Sequence, residues 1–258
     1  MALEVLLDET DPPPLEVHCE AGRSPFILTC DHAGRALPRR LGDLGVAASE
    51  LNRHIAWDIG AAGLARALSS RLDAVLIQQT YSRLVIDVNR PPSAPDSIAT
   101  ISEHTAIPGN VGLTRQAAEQ REREIFQPYH RRIAAEVDAR VAAADQLVLV
   151  SVHSFTPRFK NVDREWHAGI LYGRDGRFAH LMLQHLRADP SLAVGDNQPY
   201  AVSDETDYTV VVHAERRGIP YVELEIRQDL LADERGQQEW AERIARALTL
   251  SFSALFPS

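Results

Sequence analysis

The sequence predicts an α/β protein of three layers, with helices on both faces of a mixed, mostly parallel sheet. Three observations predict it. Short apolar, β-branched runs such as "PFILTCD", "LVLVSV" and "PYVELEI" read as strands buried on both faces. Amphipathic stretches alternate with them, the pattern of a sheet wrapped by crossover helices. The 258 residues are 45% hydrophobic, enough for one sizeable core. No internal repeat or linker is visible, so residues 1–258 read as one domain.

The elements follow in order. Residues 1–24 read as an extended lead-in, because "DPPP" forbids helix. "PFILTCD" (25–31) is a buried strand. In "LNRHIAWDIGAAGLARALSSRL" (51–72), Ile55, Ile59, Leu64 and Leu68 recur at helical spacing. "DAVLIQQ" and "RLVIDVN" are two strand candidates separated by "TYS". Residues 91–112 have no usable period and many turn formers, so they form a long loop, and such loops often carry function. A long helix covers 114–144, with Pro128 as a kink or break, and the charged run at 122–124 reads as its solvated face. Strands follow at "LVLVSV" and "AGILYG", helices near 177–188 and 206–217, the strand "PYVELEI", and a last helix over about 235–252.

Composition excludes several classes. The formal net charge is −9, which offers no footprint for a phosphate backbone, so nucleic acid is not an expected partner. Two cysteines, Cys19 and Cys30, suit a reducing compartment better than a disulfide scaffold. The acidic, proline-rich start is unlike a signal peptide, and no apolar run approaches the roughly 20 residues that span a bilayer. The expectation is a soluble cytoplasmic protein with no membrane partner. The sequence gives no oligomeric state.

Polar residues cluster at the ends of the apolar strands: Asp31 and His32; Asp87, Asn89 and Arg90; His153 and Ser154; Glu225, Arg227 and Asp229. In open α/β sheets the carboxyl ends of the strands hold the ligand. Imidazoles with a carboxylate can ligate Zn²⁺ and leave a position open, a further carboxylate can move a proton, and arginine forks can hold a carboxylate. Blander readings stand beside these. A histidine after a strand is often only hydrogen-bonded, and the acids and arginine of "EIRQD" form an ordinary ion pair. His130, His167, His180 and His185 have no context that lifts them above core or surface roles. No HExxH, GxSxG, CxxC or phosphate-loop glycine pattern is present.

An ordered set of segments adds more. "TCDHAGRALP", "HIAWDIGA", "SRLVIDVNRP", "HTAIPGN", "VHSFTP" and "GIPYVELEIRQDL" together resemble the N-formylglutamate amidohydrolase family, from about residue 26 to 230. That family is similar in fold to the zinc carboxypeptidases, of phosphorylase/hydrolase-like architecture. The resemblance implies His32 and His153 as metal ligands, Asn89 and Arg90 as grips for a substrate carboxylate, and Glu225, followed by Arg227, as general base. One position departs from the pattern. Where the carboxypeptidase-type HxxE motif has its glutamate, this chain has Arg35, which has no lone pair to give a metal. Asp58 is the expected third ligand, with Asp31 the weaker choice.

The resemblance implies a small anionic N-acyl amino acid as substrate, N-formyl-L-glutamate first, and Zn²⁺ or another divalent metal as cofactor. Arg83 would stabilise the oxyanion, Arg227 or Arg35 would meet the side-chain carboxylate, and His104, Tyr172 and Tyr208 are further pocket candidates. Two other readings stay open: a same-fold hydrolase of another N-acyl amino acid or small amidated carboxylate, and a metal-free carboxylate-binding protein that has lost the chemistry.

Overall fold

The computed structural model describes residues 5–143 and 146–257, so residues 1–4 of the expected lead-in and residue 144 of the expected helix lie outside the described residues. Seven strands form one sheet in the order Leu15–His18, Val75–Gln79, Phe26–Cys30, Val148–Phe155, Tyr221–Arg227, Ala168–Leu171, Val194–Asp196. Four adjacent strands, from Val75–Gln79 to Tyr221–Arg227, run parallel. Leu15–His18 joins antiparallel at one edge, and Ala168–Leu171 lies antiparallel to Tyr221–Arg227 while pairing parallel with Val194–Asp196. The sheet is thus mixed and mostly parallel, as its continuous apolar runs predict.

Side chains alternate between two cores. Phe26 and Leu28, Val148 and Val150, and Val222 and Leu224 face helices Ala61–Leu72, Arg177–Arg187 and Glu234–Leu255. Ile27, Leu149 and Tyr221 face helices Gln127–Ala142 and Thr209–His213. On this second face the polarity changes along each strand. Ile27 is followed by Thr29 and Asp31, Leu149 by Ser151 and His153, and Tyr221 by Glu223 and Glu225, all buried. Period-two alternation therefore gathers polar groups at the carboxyl end of one face.

Several elements depart from the sequence reading. The lead-in supplies the edge strand Leu15–His18. "RLVIDVN" is no strand, because its backbone bonds close locally. Ser82 Oγ accepts the Leu84 N–H, Ser82 O accepts Val85 N–H, and Asp87 N–H donates to Ser97 O. The apolar side chains of the segment still fill the second core. The helix expected from residue 51 starts at Ala61, after the left-handed Gly60 (φ 82°), so Asp58 sits in an irregular segment before it. A Cβ on Gly60 would fall 2.4 Å from the Leu231 side chain. The helix near 206–217 shortens to Thr209–His213 and a 3₁₀ turn at Glu215–Arg217. Pro128 neither breaks nor ends its helix: Arg115–Arg121 passes through a π segment at Glu122–Phe126 into Gln127–Ala142, where Pro128 occupies the first turn.

The charged run at 122–124 is not wholly a solvated face, because Glu124 accepts the backbone N–H groups of Leu6 and Leu7. Arg121 is buried and donates to Val85 O and Asn110 Oδ1, while Asn110 donates to Leu84 O and Ala99 O. This staple holds both ends of the long 91–112 loop, which carries a small hairpin of Ile101–Ser102 with Thr105–Ala106. Among the described residues, no helix is long and apolar enough to cross a membrane.

Candidate active site

A cleft of about 600 Å³ opens at the carboxyl ends of the parallel strands. At its floor lie His32, from the loop after Phe26–Cys30, and His153, near the end of Val148–Phe155, with ring centroids 5.0 Å apart. Asp58 reaches them from the irregular segment, which is tied down by its backbone N–H donating to His32 O at 2.9 Å. The loop after His32 is pressed against its neighbour: a Cβ on Gly34 would lie 1.9 Å from the Thr80 carbonyl oxygen.

Each imidazole is held by its far nitrogen. His32 Nε2 meets Asp87 Oδ1 at 2.7 Å, and His153 Nε2 meets Asp31 Oδ2 at 3.1 Å. Asp31 also accepts from Tyr129, Thr209 and Ser151, which fixes it behind the histidine. The Nδ1 atoms face inward: that of His153 is 3.0 Å from Asp58 Oδ2, and that of His32 is 3.5 Å away from the same oxygen. His32 Nδ1 is buried with no hydrogen-bond partner. Ligand atoms of His32, Asp58 and His153 lie within 4.8 Å of one another, so the group could hold a metal ion. The donor set fits one: two neutral-capable imidazole nitrogens, one carboxylate oxygen, and a carboxylate orienting each ring from behind.

Electrostatics suit the same use. Burial opposes the charge on Asp58, but the two histidines overcome it and hold its carboxyl far below the usual range. Burial pulls His153 down, yet Asp31 and Asp58 hold it well above the ordinary histidine value. His32 is opposed by burial and by Arg83, but Asp87 and Asp58 raise it. Arg83 donates to Asp87 Oδ2 from Nε (3.0 Å) and Nη2 (2.6 Å), and its Nη1 is 3.6 Å from Asp58 Oδ1. Glu225 sits opposite, register-paired with His153, with a buried and unpaired Oε2, and burial lifts its pKa to about 7.

The cleft gathers His32, Asp58, His153, Arg83, Asn89, Arg90 and Glu225. Asn89 is engaged at both ends: Oδ1 accepts from Tyr208 and Thr209 N–H, and Nδ2 donates to Asp207 at 3.4 Å. Arg90 donates to Thr206 O at 2.6 Å and lies 3.4 Å from Asp96.

Five expected pocket residues do not line the cleft. Arg35 turns outward past Gly34, donates to Asn52 and stacks over Trp57 at 5.3 Å. Arg227 is taken by Asp229, the ion pair that "EIRQD" suggests. His104 is exposed at the tip of the small hairpin. Tyr172 packs against the other core and donates to Asp196. Tyr208 meets Phe126 and His130 edge to face, in the second core. Asp31, the weaker ligand choice, stands behind His153 rather than beside Asp58. Asp87, named only among the strand-end polar residues, takes the place behind His32, and the residues that sequence reasoning missed include Glu223 and Asp207. Reading "PYVELEI" and "LVLVSVHSF" strictly by period two exposes Glu223 and Ser151, but the approach of Asp207 has no local signal.

Buried polar groups converging at the carboxyl edge of a mostly parallel sheet, with a carboxyl facing a His–Asp–His group, place the protein among the α/β amidohydrolases. More particularly, the chain belongs to the N-formylglutamate amidohydrolase family, whose model matches residues 24–232. A solved gene product of Agrobacterium tumefaciens is similar over 96% of this chain and 98% of its own, at 36% identity and TM-score 0.94. N-formylglutamate amidohydrolase from Ralstonia eutropha JMP134 shares the fold, with 19% identity, TM-score 0.67, and 95% and 97% of the two chains covered. No curated protein matches the chain in sequence.

Proposed function

We propose that this chain is a metal-dependent amidohydrolase that cleaves the amide of a small anionic N-acyl amino acid, N-formyl-L-glutamate first, giving formate and L-glutamate. One observation carries the reading: two inward Nδ1 atoms and one Asp58 oxygen share a buried point, while separate carboxylates hold both Nε2 atoms. His32, His153 and Asp58 would hold a divalent ion there, zinc first, which when bound would supply Lewis-acid chemistry to a carbonyl and lower the pKa of a water toward about 7.

The chain's own residues do the rest. Glu225 takes the proton of the attacking water at its unpaired Oε2 and delivers it to the departing amine nitrogen. Arg83, fixed by Asp87, directs positive charge to the side of the cleft where the carbonyl oxygen becomes negative. Arg90, oriented by Thr206 O, anchors the α-carboxylate, which places the amide over the histidines.

Elemental analysis of purified protein, paired with a panel of N-formyl and N-acetyl amino acids, tests this. The wild type is expected to carry a divalent metal, and His153→Ala to lose both metal and turnover. A His153→Ala protein with full metal content, or a wild type that binds none, overturns the reading.

A further inference from the structure

The cations around the cleft differ in what already holds them. Arg83 is committed to Asp87 and Arg90 to Thr206 O and Asp96. Arg164 is not committed in this way: among the described residues it pairs with no carboxylate. Its guanidinium is packed against three rings, with centroids at 4.8 Å for Tyr200, 4.9 Å for Phe159 and 5.7 Å for Phe155. All three rings line the cleft, and Arg164, half-buried, stands behind this part of its wall rather than in the lining. A protein hydrogen bond to the guanidinium is the long one from Nη1 to Thr156 O, 3.5 Å. The guanidinium also hydrogen-bonds toward the Tyr200 hydroxyl, a neutral partner, so it has no carboxylate to neutralise it and suits in-plane recognition of one.

A second cation packs on the same Phe159 ring. The hairpin Arg158–Phe159/Val162–Asp163 turns through Lys160 (φ 48°) and Asn161 (φ 65°), the left-handed pair of a two-residue hairpin turn. Lys160 lines the cleft with its ammonium 5.3 Å from the Phe159 ring. Glu223, Glu225 and Asp207 also line the cleft and oppose an anion on their side, and Arg83 and Arg90 already have partners, so the hairpin side is left for a second carboxylate. Burial and then the charge of Glu225 raise the Tyr200 hydroxyl, while Arg164, by its charge and a hydrogen bond, pulls it down.

We propose that Arg164, with Lys160 on the same Phe159 ring, reads the second carboxylate of a dicarboxylic N-acyl amino acid, while the Phe159 and Tyr200 rings receive the aliphatic stem that bears it. This makes Arg164 a specificity-determining residue and takes the place of the expected contacts from Arg35 and Arg227. It rests on the reading of the cleft as an N-acyl amino acid site.

The test compares N-formyl-L-glutamate with its uncharged isostere N-formyl-L-glutamine, by calorimetric binding and by turnover, on metal-supplemented wild type, Arg164→Gln and Arg164→Lys. The wild type is expected to favour the glutamate. Arg164→Gln is expected to lose about ten- to a hundredfold on the glutamate with little change on the glutamine, the scale of a charged hydrogen bond. Arg164→Lys is expected to restore part of the preference, which repair of a merely structural wall would not do. An unchanged glutamate-to-glutamine ratio in Arg164→Gln, or an equal fall on both ligands, overturns the proposal even if turnover is normal. Binding without turnover in the wild type, with the Arg164-dependent preference intact, keeps the proposal and overturns the hydrolytic reading. A wild type that binds neither ligand overturns both.

Discussion

A buried imidazole with one nitrogen on a carboxylate has its other nitrogen aimed by that bond. His32 and His153 both follow this rule, with Asp87 and Asp31 as the aiming groups. Glu225 shows the opposite condition: it is buried, has a free oxygen and is lifted to about 7 from the ordinary 4.5. A general base must be ionised to accept a proton. With the pKa raised, the active form is depleted as pH falls through about 7, so kcat/KM should decline on the acid side of neutrality. Glu225→Gln should retain metal and lose about 10²–10⁴-fold in turnover, with the acid limb abolished. A pH–rate profile of the variant that still shows the limb at near-normal rate would remove Glu225 from the base role. At this scale the sequence is legible where a residue lies at or just past the end of a strand, as with His32, His153 and Glu225. The outward course of Arg35 is not legible, because its direction is set by Gly34 meeting Thr80, a contact between distant segments.

Elements position these residues through close backbone approaches. The loop carrying His32 lies so near Thr80 that Gly34 has no room for a side chain, since a methyl group there would fall 1.9 Å from the Thr80 carbonyl oxygen. Gly34→Ala should therefore displace the loop, destabilise the fold by about 1–3 kcal/mol and lower metal content. Gly112 makes the contrast: its φ is 68° but open space surrounds it, so Gly112→Asn, the side chain best suited to that region, should cost no more than about 1 kcal/mol and leave metal content unchanged. Urea unfolding and metal analysis of both variants check this, and equal behaviour of the two would contradict it. The "RLVIDVN" segment shows why element type is not always readable. Its apolar content demands burial, but burial in turns satisfied by Ser82 and Ser97 serves as well as burial in a strand. The placement of Asp58 ahead of its helix is hidden for a similar reason, since apolar spacing cannot register the left-handed Gly60 that delays the helix to Ala61.

Across the whole molecule, the site joins segments from residue 31 to residue 225, so loading it should stabilise the entire fold. The pH dependence has a definite sign. His32 and His153 are raised above 6.5 by their carboxylates, so in metal-free protein their contribution is fully present below 6.5 and is lost as pH rises through the raised values. A metal must displace those protons, so its affinity grows with pH. The Tm gap between zinc-loaded and chelator-treated protein should widen from about pH 6 to about pH 8, reaching about 5–10 °C at a hundredfold excess over Kd. Thermal melts at several pH values measure it, and coincident curves throughout would show that no ion couples to the fold. The sequence by itself determined the mostly parallel sheet, its two apolar faces and the strand-end placement of His32, His153 and Glu225, because periodicity and burial are local properties of a chain. Only the tertiary structure decided which groups meet: that Asp58 completes the pair of histidines, that Asp31 and Asp87 stand behind them, and that Arg164 packs against rings of the cleft wall while Arg35 and Arg227 are held elsewhere. Those contacts link residues far apart in sequence, and their geometry is set by loops whose course depends on close packing between distant segments rather than on pattern.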